Sequence, residues 1–151
     1  MTQASVAASA IIRAPAPRVY GILADYRRHH PHIVPPEYFR KIEVEEGGVG
    51  AGTRTQVETR VLGITKRATH IIREPEPGRV LEEVDVDGFS TTTFVVDPVD
   101  DGGSAKISIR TTFAVRSGLL GALERLLTAS VLRRIIAKEL GRLGNYAATQ
   151  P

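Results

Sequence analysis

The chain has 151 residues, of which 42% are hydrophobic and 25% charged, as in an ordinary folded globular protein. This length predicts a single domain over residues 1–151 with a sizeable core. The net charge of +3 comes from Lys and Arg interleaved with Asp and Glu, so we expect no nucleic-acid partner. The absence of Cys excludes disulfides, thiolate zinc sites and cysteine nucleophiles. Because no signal peptide or membrane-spanning apolar run is recognisable, we expect a cytoplasmic protein.

The first elements are predicted to be a strand and a helix. Small and apolar residues alternate over residues 5–14, which is typical of a strand. Pro15 and Pro17 then favour the start of a helix, because proline is tolerated in a first turn. Pro31 predicts that this helix ends near His30, since the residue before a proline avoids the helical region. The apolar stripe of this helix consists of Val19, Ile22, Leu23 and Tyr26.

From Phe39 onward the apolar pattern has a period of two, which predicts an antiparallel meander. The predicted strands are residues 39–46, 53–61, 65–73, 79–86, 90–97 and 104–115. Turns rich in Gly, Pro or Asp-Gly separate them. The glycine-rich segment 47–52 precedes a strand, so it is a turn and not a phosphate-binding loop, which requires a following helix. The last strand is predicted to bury Ala105, Ile107, Ile109, Thr111, Phe113 and Val115 on one face.

The final segment, residues 118–146, is predicted to be one long helix. One apolar stripe runs along its length and consists of Ala122, Leu126, Ala129, Leu132, Ile136, Leu140 and Leu143. A second stripe is confined to the N-terminal half and consists of Leu120, Leu123, Leu127 and Val131. This half is apolar around most of its circumference, so it is predicted to close a cavity, to contact a second subunit or to touch a membrane. The element order predicts an α+β fold in which the sheet curls around the long helix and leaves a pocket.

Several segments together resemble a known superfamily. They are residues 12–20 (IRAPAPRVY), 23–26 (LADY) and 30–35 (HPHIVP), then Gly50-Ala51-Gly52-Thr53 and Asp101-Gly102-Gly103 before later strands. Their order and spacing resemble the SRPBCC (START/Bet v 1-like) superfamily, especially its bacterial polyketide cyclase/dehydrase-like branch.

This resemblance implies a helix-grip fold, in which a seven-stranded antiparallel sheet wraps around the C-terminal helix and encloses an elongated apolar cavity. Members of the superfamily bind lipids, sterols, hormones, quinones or polyketides, and only some are enzymes. The chain has no Trp, whereas the aromatic polyketide cyclases have tryptophan-containing segments, and this difference favours binding over cyclisation. We expect no cofactor.

Three histidines, His29, His30 and His32, form the one cluster that suggests a metal site. A proline-rich loop does not place three imidazoles on one face as a helical H-x-x-x-H motif does. We therefore interpret them as solvated loop histidines and expect no metal.

The candidate catalytic residues are His70 and Glu82. A short hairpin that pairs Ile72 with Val80 would place His70 directly opposite Glu82. Its interior faces would then consist of Ala68, His70 and Ile72 on one strand and Val80, Glu82, Val84 and Val86 on the next. Facing a cavity, the pair would suit general acid–base catalysis, and otherwise it would make a structural hydrogen bond or point to water.

A further set of residues is predicted to contact the ligand because it falls on probable inner faces or at the cavity mouth. It consists of Tyr26, Thr55, Val57, Thr59, Phe89, Phe94, Thr111, Phe113, Leu119, Leu123, Leu126 and Arg133. Arg133 lies in the inner helix stripe, where it would anchor a ligand's acid group unless its stem reaches the surface. The apolar segment 61–64 and the segment 87–89 are predicted to line the mouth. Alternatively, the apolar segment forms a dimer contact or a patch under the long helix.

We derive three functional hypotheses from these features. The first is a carrier that binds a small, largely apolar ligand, which is polyketide-, lipid- or isoprenoid-like. The second is a cyclase, dehydratase or isomerase that uses the same cavity. The third is a membrane-associated lipid or quinone chaperone, because Arg125, Arg133, Arg134, Lys138 and Arg142 lie on an amphipathic helix. No transmembrane segment is predicted, peripheral membrane contact is left open, and a monomer and a homodimer are equally compatible with the sequence.

Overall fold

The structure is a computed structural model that describes residues 2–149. The strands are β1 (Thr2–Ile12), β2 (Phe39–Glu46), β3 (Arg54–Val61), β4 (Ile64–Glu76), β5 (Val80–Asp85), β6 (Ser90–Val99) and β7 (Ser104–Val115). The α-helices are α1 (Ala16–Ala24) and α2 (Gly118–Thr149), and short 3₁₀ turns cover His30–His32 and Asp100–Gly102. The strands form one antiparallel sheet in the order β1-β7-β6-β5-β4-β3-β2.

The predicted α+β helix-grip architecture is confirmed. Strands β2 to β7 form a meander, and β7 also pairs with β1. Helix α2 packs against β1 and β7. All six residues predicted for the inner face of β7 are buried. The strict alternation of this strand identified its buried face because one side of an antiparallel sheet is covered and the other is wet.

The first helix is shorter than predicted and ends at Ala24 rather than near His30. The helix ends there because a neighbouring loop forms hydrogen bonds with the backbone groups that would otherwise continue the helix. The N–H of Tyr26 donates to the carbonyl of Gly48, and the N–H of Gly50 donates to the carbonyl of Ala24. The chain therefore turns away, and the following 3₁₀ turn carries His30 into the core.

The predicted pairing of His70 with Glu82 is wrong. His70 lies opposite Asp85, and Glu82 lies opposite Arg73. The partner of His70 thus moves by three positions, and an odd offset transfers every side chain of β5 to the other face of the sheet. The inner face of β5 therefore consists of Leu81, Glu83 and Asp85, instead of the predicted Val80, Glu82, Val84 and Val86.

The hairpin is tighter than predicted, with Glu76 opposite Val80, and a β-bulge near the end of β4 then makes the offset odd. Two residues of β4, Glu74 and Pro75, lie opposite the single residue Leu81 of β5. Pro75 has no N–H to donate to the ladder. The Glu74 carboxylate instead accepts hydrogen bonds from the Tyr20 hydroxyl, at 2.6 Å, and from the Ala51 N–H, at 2.7 Å. Contacts from distant parts of the chain thus hold the bulge in place.

Helix α2 is divided into a packed half and an open half. In its C-terminal half, the predicted residues Ile136, Leu140 and Leu143 are buried against the sheet. In its N-terminal half, only Gly121 and Ala129 are buried. The predicted inward positions Leu119, Leu123 and Leu126 are wrong, because these side chains are respectively 92%, 54% and 69% exposed. This half lies over a cavity and presents most of its leucines to solvent.

The packed half and the open half of α2 generate a matched pair of stability predictions. Leu143→Ala should cost about 2–5 kcal/mol, because the side chain is fully buried and its removal leaves a cavity. Leu126→Ala should change stability by less than about 0.5 kcal/mol, because its side chain is mostly in water already. Urea unfolding with an unchanged m-value measures both. Equal losses of unfolding free energy in the two variants would contradict the division of α2 into a packed half and an open half.

Candidate ligand-binding site

A cavity of about 600 Å³ lies between the inner face of the sheet and the open half of α2. This volume is within the usual range for sites that bind small molecules. Its walls are mostly apolar and include Val34, Ile42, Val57, Ile109, Phe113, Val131, Leu132 and Ile136. The cavity exists because the N-terminal half of α2 does not press its side chains against the sheet.

The mouth of the cavity is surrounded by exposed apolar side chains on three elements. Leu62 and Ile64 project from the β3–β4 hairpin, Phe89 from the β5–β6 hairpin, and Leu127 from α2. We call these four residues the mouth rim. The Nζ of Lys66 lies 5.2 Å from the centroid of the Phe89 ring, so the two hairpins contact each other at the rim.

Most of the predicted ligand-contacting residues lie on the cavity wall. They are Tyr26, Thr55, Val57, Thr59, Phe89, Thr111 and Phe113. His70 also lies on the wall, whereas Glu82 does not. The other predicted members are elsewhere: Phe94 is fully buried outside the lining, and Leu119, Leu123 and Leu126 face solvent.

Arg133 is likewise not a cavity residue. Its position within the predicted inner stripe suggested an inward side chain, but the residue is exposed. The helix face that turns towards the sheet is instead centred on Ile136 and Leu143. Arg133 is therefore not placed to bind the acid group of a ligand in the cavity.

His30, which the sequence interpretation placed in solvent, lies at the deep end of the cavity and is only 2% exposed. Its Nδ1 lies 2.7 Å from the carbonyl oxygen of Leu23. A carbonyl can only accept, so Nδ1 carries a proton and Nε2 is the atom left for other partners. The ring is stacked on Tyr26 with 4.3 Å between centroids, and the edge of Phe94 supports it at 6.0 Å.

Two carboxyl groups face the free nitrogen of His30. Oε2 of Glu83 lies 3.8 Å from Nε2, and Oε1 of Glu139 lies 4.0 Å from it. The Tyr26 hydroxyl donates to Oε2 of Glu83 at 3.1 Å. Burial, followed by the nearby charge of Glu83, raises the pKa of the Tyr26 hydroxyl well above its ordinary value, so Tyr26 acts as a donor. We call His30, Glu83, Glu139 and Tyr26 the deep polar cluster.

Glu139 has the most perturbed carboxyl group of the cluster. Burial in the apolar wall raises its pKa well above the ordinary range, and the neighbouring charge of Glu83 raises it further. The carboxyl is consequently protonated over a wider pH range than an exposed one. A side chain that can hold or release a proton therefore faces the cavity beside an imidazole.

Further polar groups form two rows across the inner face of the sheet. In one row, cross-strand neighbours place His70 between Thr55 and Asp85. In the other row, Glu83 is opposite Thr92, which is opposite Thr111, and the two threonine hydroxyls are 2.9 Å apart. These rows continue the deep polar cluster along the cavity floor. A ligand in the cavity thus meets apolar walls and a polar floor.

The sequence contained a signal for Glu139 but hardly any for His30. Glu139 is three residues after Ile136 and four before Leu143, so it occupies the buried stripe of α2. A lone carboxylate on such a stripe indicates a special environment. His30 lies in an irregular turn, where no periodicity reports burial. Glu83 was missed because the β-bulge inverted the faces of β5.

Among residues 2–149, no three His, Asp or Glu side chains are arranged to hold a metal ion. Within the same residues, no helix has the length and apolar character needed to cross a membrane.

The raised pKa of Glu139 predicts a pH-dependent loss of stability. The unfolded chain releases this proton near the ordinary pKa of 4.5, whereas the folded protein retains it to higher pH. The contribution of Glu139 to stability is therefore complete below about pH 4.5 and declines as the pH rises through the folded-state pKa. Glu139→Gln should remove this decline and be more stable than the wild type at neutral pH. Urea unfolding across pH 4 to 8 measures it, and parallel pH profiles for the two proteins would refute it.

Comparisons with known proteins agree with this architecture. The sequence model of the family described as "Polyketide cyclase / dehydrase and lipid transport" matches residues 3–148. No curated protein sequence matches the chain significantly.

The fold is similar to several solved structures. The solution structure of the KanY protein shares 23% identity at a TM-score of 0.84, covering 98% of this chain and 99% of that one. A protein from Thermus thermophilus shares 21% identity at 0.79, covering 97% and 100%. The Zhui aromatase/cyclase from Streptomyces sp. R1128 shares 18% identity at 0.77, covering 97% and 94%.

At these identities the structural likeness establishes the fold alone. The family match spans almost the whole chain. The protein therefore belongs to the polyketide cyclase/dehydrase and lipid transport family.

Proposed function

We propose that the protein binds a small, largely apolar molecule in the cavity between the sheet and α2. The observation that carries this proposal is a cavity of about 600 Å³ whose walls are apolar and whose deep end holds the polar cluster. An empty apolar cavity of this size costs stability, because the atoms that line it lack contacts. A ligand recovers those contacts and removes apolar surface from water.

The proposal predicts that filling the cavity abolishes binding. Ala68 lies on the cavity wall, and Ala68→Phe should occupy the space that a ligand needs. Thr69→Phe is the matched control, because it adds the same side chain to the next position of β4, which points to the opposite face of the sheet. N-phenylnaphthylamine, a neutral apolar fluorophore that brightens on leaving water, should bind the wild type and the control but not Ala68→Phe.

Equal fluorophore binding by the two phenylalanine variants would contradict the cavity as the binding site. Native mass spectrometry of freshly purified protein complements this test, because it detects a natural ligand that remains bound. A ligand recovered unchanged supports a carrier, whereas a ligand that the protein converts supports an enzyme.

An enzymatic role in the same cavity is the second candidate, and the geometry of His30 favours it. Its tautomer is defined by the Leu23 carbonyl, and its free Nε2 points between two carboxyl groups. Such an imidazole can accept a proton from a bound molecule, while the protonated carboxyl of Glu139 can donate one. Proton transfer of this kind is what cyclisation or dehydration of a polyketide-like ketone requires. The proposed acid–base pair is thus His30 with Glu139, in place of His70 with Glu82.

We further propose that the cavity mouth contacts an anionic membrane surface. The mouth rim is continued by the exposed leucines of α2, which are Leu119, Leu120, Leu123 and Leu126. Exposed basic residues border this apolar surface and make no ion pair within residues 2–149; they are Arg60, Lys66, Arg125, Arg133 and Arg134. Apolar side chains flanked by cations are typical of proteins that bind the interface of an anionic bilayer.

Leu62 supports this membrane proposal most directly. It occupies the first position of a two-residue turn with φ of 51°, and it is 84% exposed. A left-handed conformation disfavours leucine and suits Asn or Gly, and the typical sequence of this turn is Asn-Gly. The folded protein thus gains neither turn stability nor burial from this leucine. A contact outside the folded chain accounts for it.

Leu62→Asn separates folding from membrane contact. The fold should be as stable as the wild type or more so, because Asn tolerates the turn conformation. Binding to phosphatidylglycerol-containing vesicles in a flotation assay should fall several-fold, and salt should weaken the wild-type interaction. Val49→Asn is the control, since Val49 is 66% exposed but lies outside the rim. Equal vesicle binding by both variants would refute the proposal, and a concentration-dependent dimer that Leu62→Asn dissociates would indicate a second copy as the partner.

A further inference from the structure

Three hydrogen-bond acceptors converge at the deep end of the cavity. Nε2 of His30 is 3.8 Å from Oε2 of Glu83 and 4.0 Å from Oε1 of Glu139. Because Nδ1 of His30 donates to a backbone carbonyl, Nε2 of the neutral ring carries a lone pair. The separations are too long for direct hydrogen bonds. They are short enough for a donor atom to lie within about 2.9 Å of Nε2 and of either carboxyl oxygen.

The carboxyl group of Glu139 makes no short hydrogen bond to another side chain within the described residues. It is only 6% exposed, it faces the cavity, and it lies 4.0 Å from Nε2 of His30. The hydroxyl of Thr55, which is 1% exposed on the same cavity wall, also has no hydrogen-bond partner among residues 2–149. Buried polar groups in native proteins are normally paired, and leaving one unpaired costs about 1–3 kcal/mol. These two groups are therefore available to a ligand.

Three acidic side chains lie deeper in the cavity than its lysine and arginine. Asp85 and Glu139 are buried on the cavity wall, and the side chain of Glu83 is 17% exposed. The cationic residues of the wall, Lys66 and Arg67, are both exposed near the mouth. The interior therefore attracts a cation and repels a carboxylate, and the surrounding apolar walls strengthen both effects.

We infer that the ligand is an apolar molecule that ends in a protonated amine, whose ammonium group donates to His30, Glu83 and Glu139. This inference rests on the proposed binding function and specifies its ligand class. A primary ammonium has three N–H donors, which match the three acceptors. The positive charge of the ammonium group compensates the negative charge of Glu83. It also stabilises the ionised form of Glu139, which in the empty site holds a proton. Ligands that end in a carboxylate are rejected.

A matched series of probes tests this inference on the wild-type protein. Naphthylethylamine, naphthylethanol and naphthylacetic acid share one apolar body and differ in their head groups. Each is titrated against N-phenylnaphthylamine bound to the protein at pH 7. The amine should displace the fluorophore at a concentration at least about tenfold lower than the alcohol, because charge-assisted hydrogen bonds are the stronger ones, and the acid should be weaker than the alcohol.

Variants then test which side chains cause the preference for the amine. Glu139→Gln and Glu83→Gln should each reduce the advantage of the amine over the alcohol by roughly tenfold, the effect of one hydrogen bond to a charged group. Glu82→Gln is the matched control, because Glu82 neighbours Glu83 on β5 but lies off the cavity wall. It should leave the order and spacing of the three affinities unchanged.

The outcomes distinguish this inference from the proposed function. Fluorophore binding with equal displacement by the three probes, or with preference for the acid, overturns the ligand class but leaves the cavity as a binding site. A preference for the amine that survives both Gln substitutions overturns the assignment to the deep polar cluster. If the fluorophore does not bind the wild type at all, the proposed function itself fails. The expected amine preference, lost in both variants and kept in the control, supports the inference.

Discussion

The structure depends on one packing constraint, which is that a single curved sheet must cover a helix of 32 residues. The C-terminal half of α2 meets this constraint with Ile136, Leu140 and Leu143, which are buried against the sheet. The N-terminal half does not, because Gly121 and Ala129 are its only buried residues. The space that remains between this half and the sheet is the cavity. The packed core and the cavity therefore share one helix.

The polar groups of the cavity come from elements that are distant in the sequence. His30 follows α1, Glu83 lies on β5 and Glu139 lies on α2, yet all three meet at the deep end. The apolar surroundings change the protonation of these groups, since burial raises the pKa of both Tyr26 and Glu139. The proposed recognition of a polar head group, the proposed proton transfer and the predicted pH dependence of stability thus all depend on the same desolvation.

The mouth and the deep end of the cavity have opposite character. At the mouth, exposed leucines lie beside Lys66, Arg67 and Asp87, whereas the carboxyl groups of Glu83, Asp85 and Glu139 lie deeper. This polarity suits a protein that approaches an anionic surface and receives from it a molecule with an apolar body and a cationic end. The arrangement links the proposed membrane contact to the proposed ligand class through charge alone.

The sequence by itself determined the element order, the α+β helix-grip class, the inner face of β7 and the wall positions of Thr55, Val57 and Phe113. These features follow from local periodicity, which a strand or helix expresses wherever it packs. The tertiary structure decided what no local pattern reports. A bulge at Pro75 changed the register of β5 and exchanged Glu82 for Glu83 on the inner face, because an odd shift inverts a strand. Long-range hydrogen bonds ended α1 early and buried His30. The sheet covers only half of α2. Leu143 is therefore buried in the core, whereas the equally apolar Leu126 is exposed on the surface.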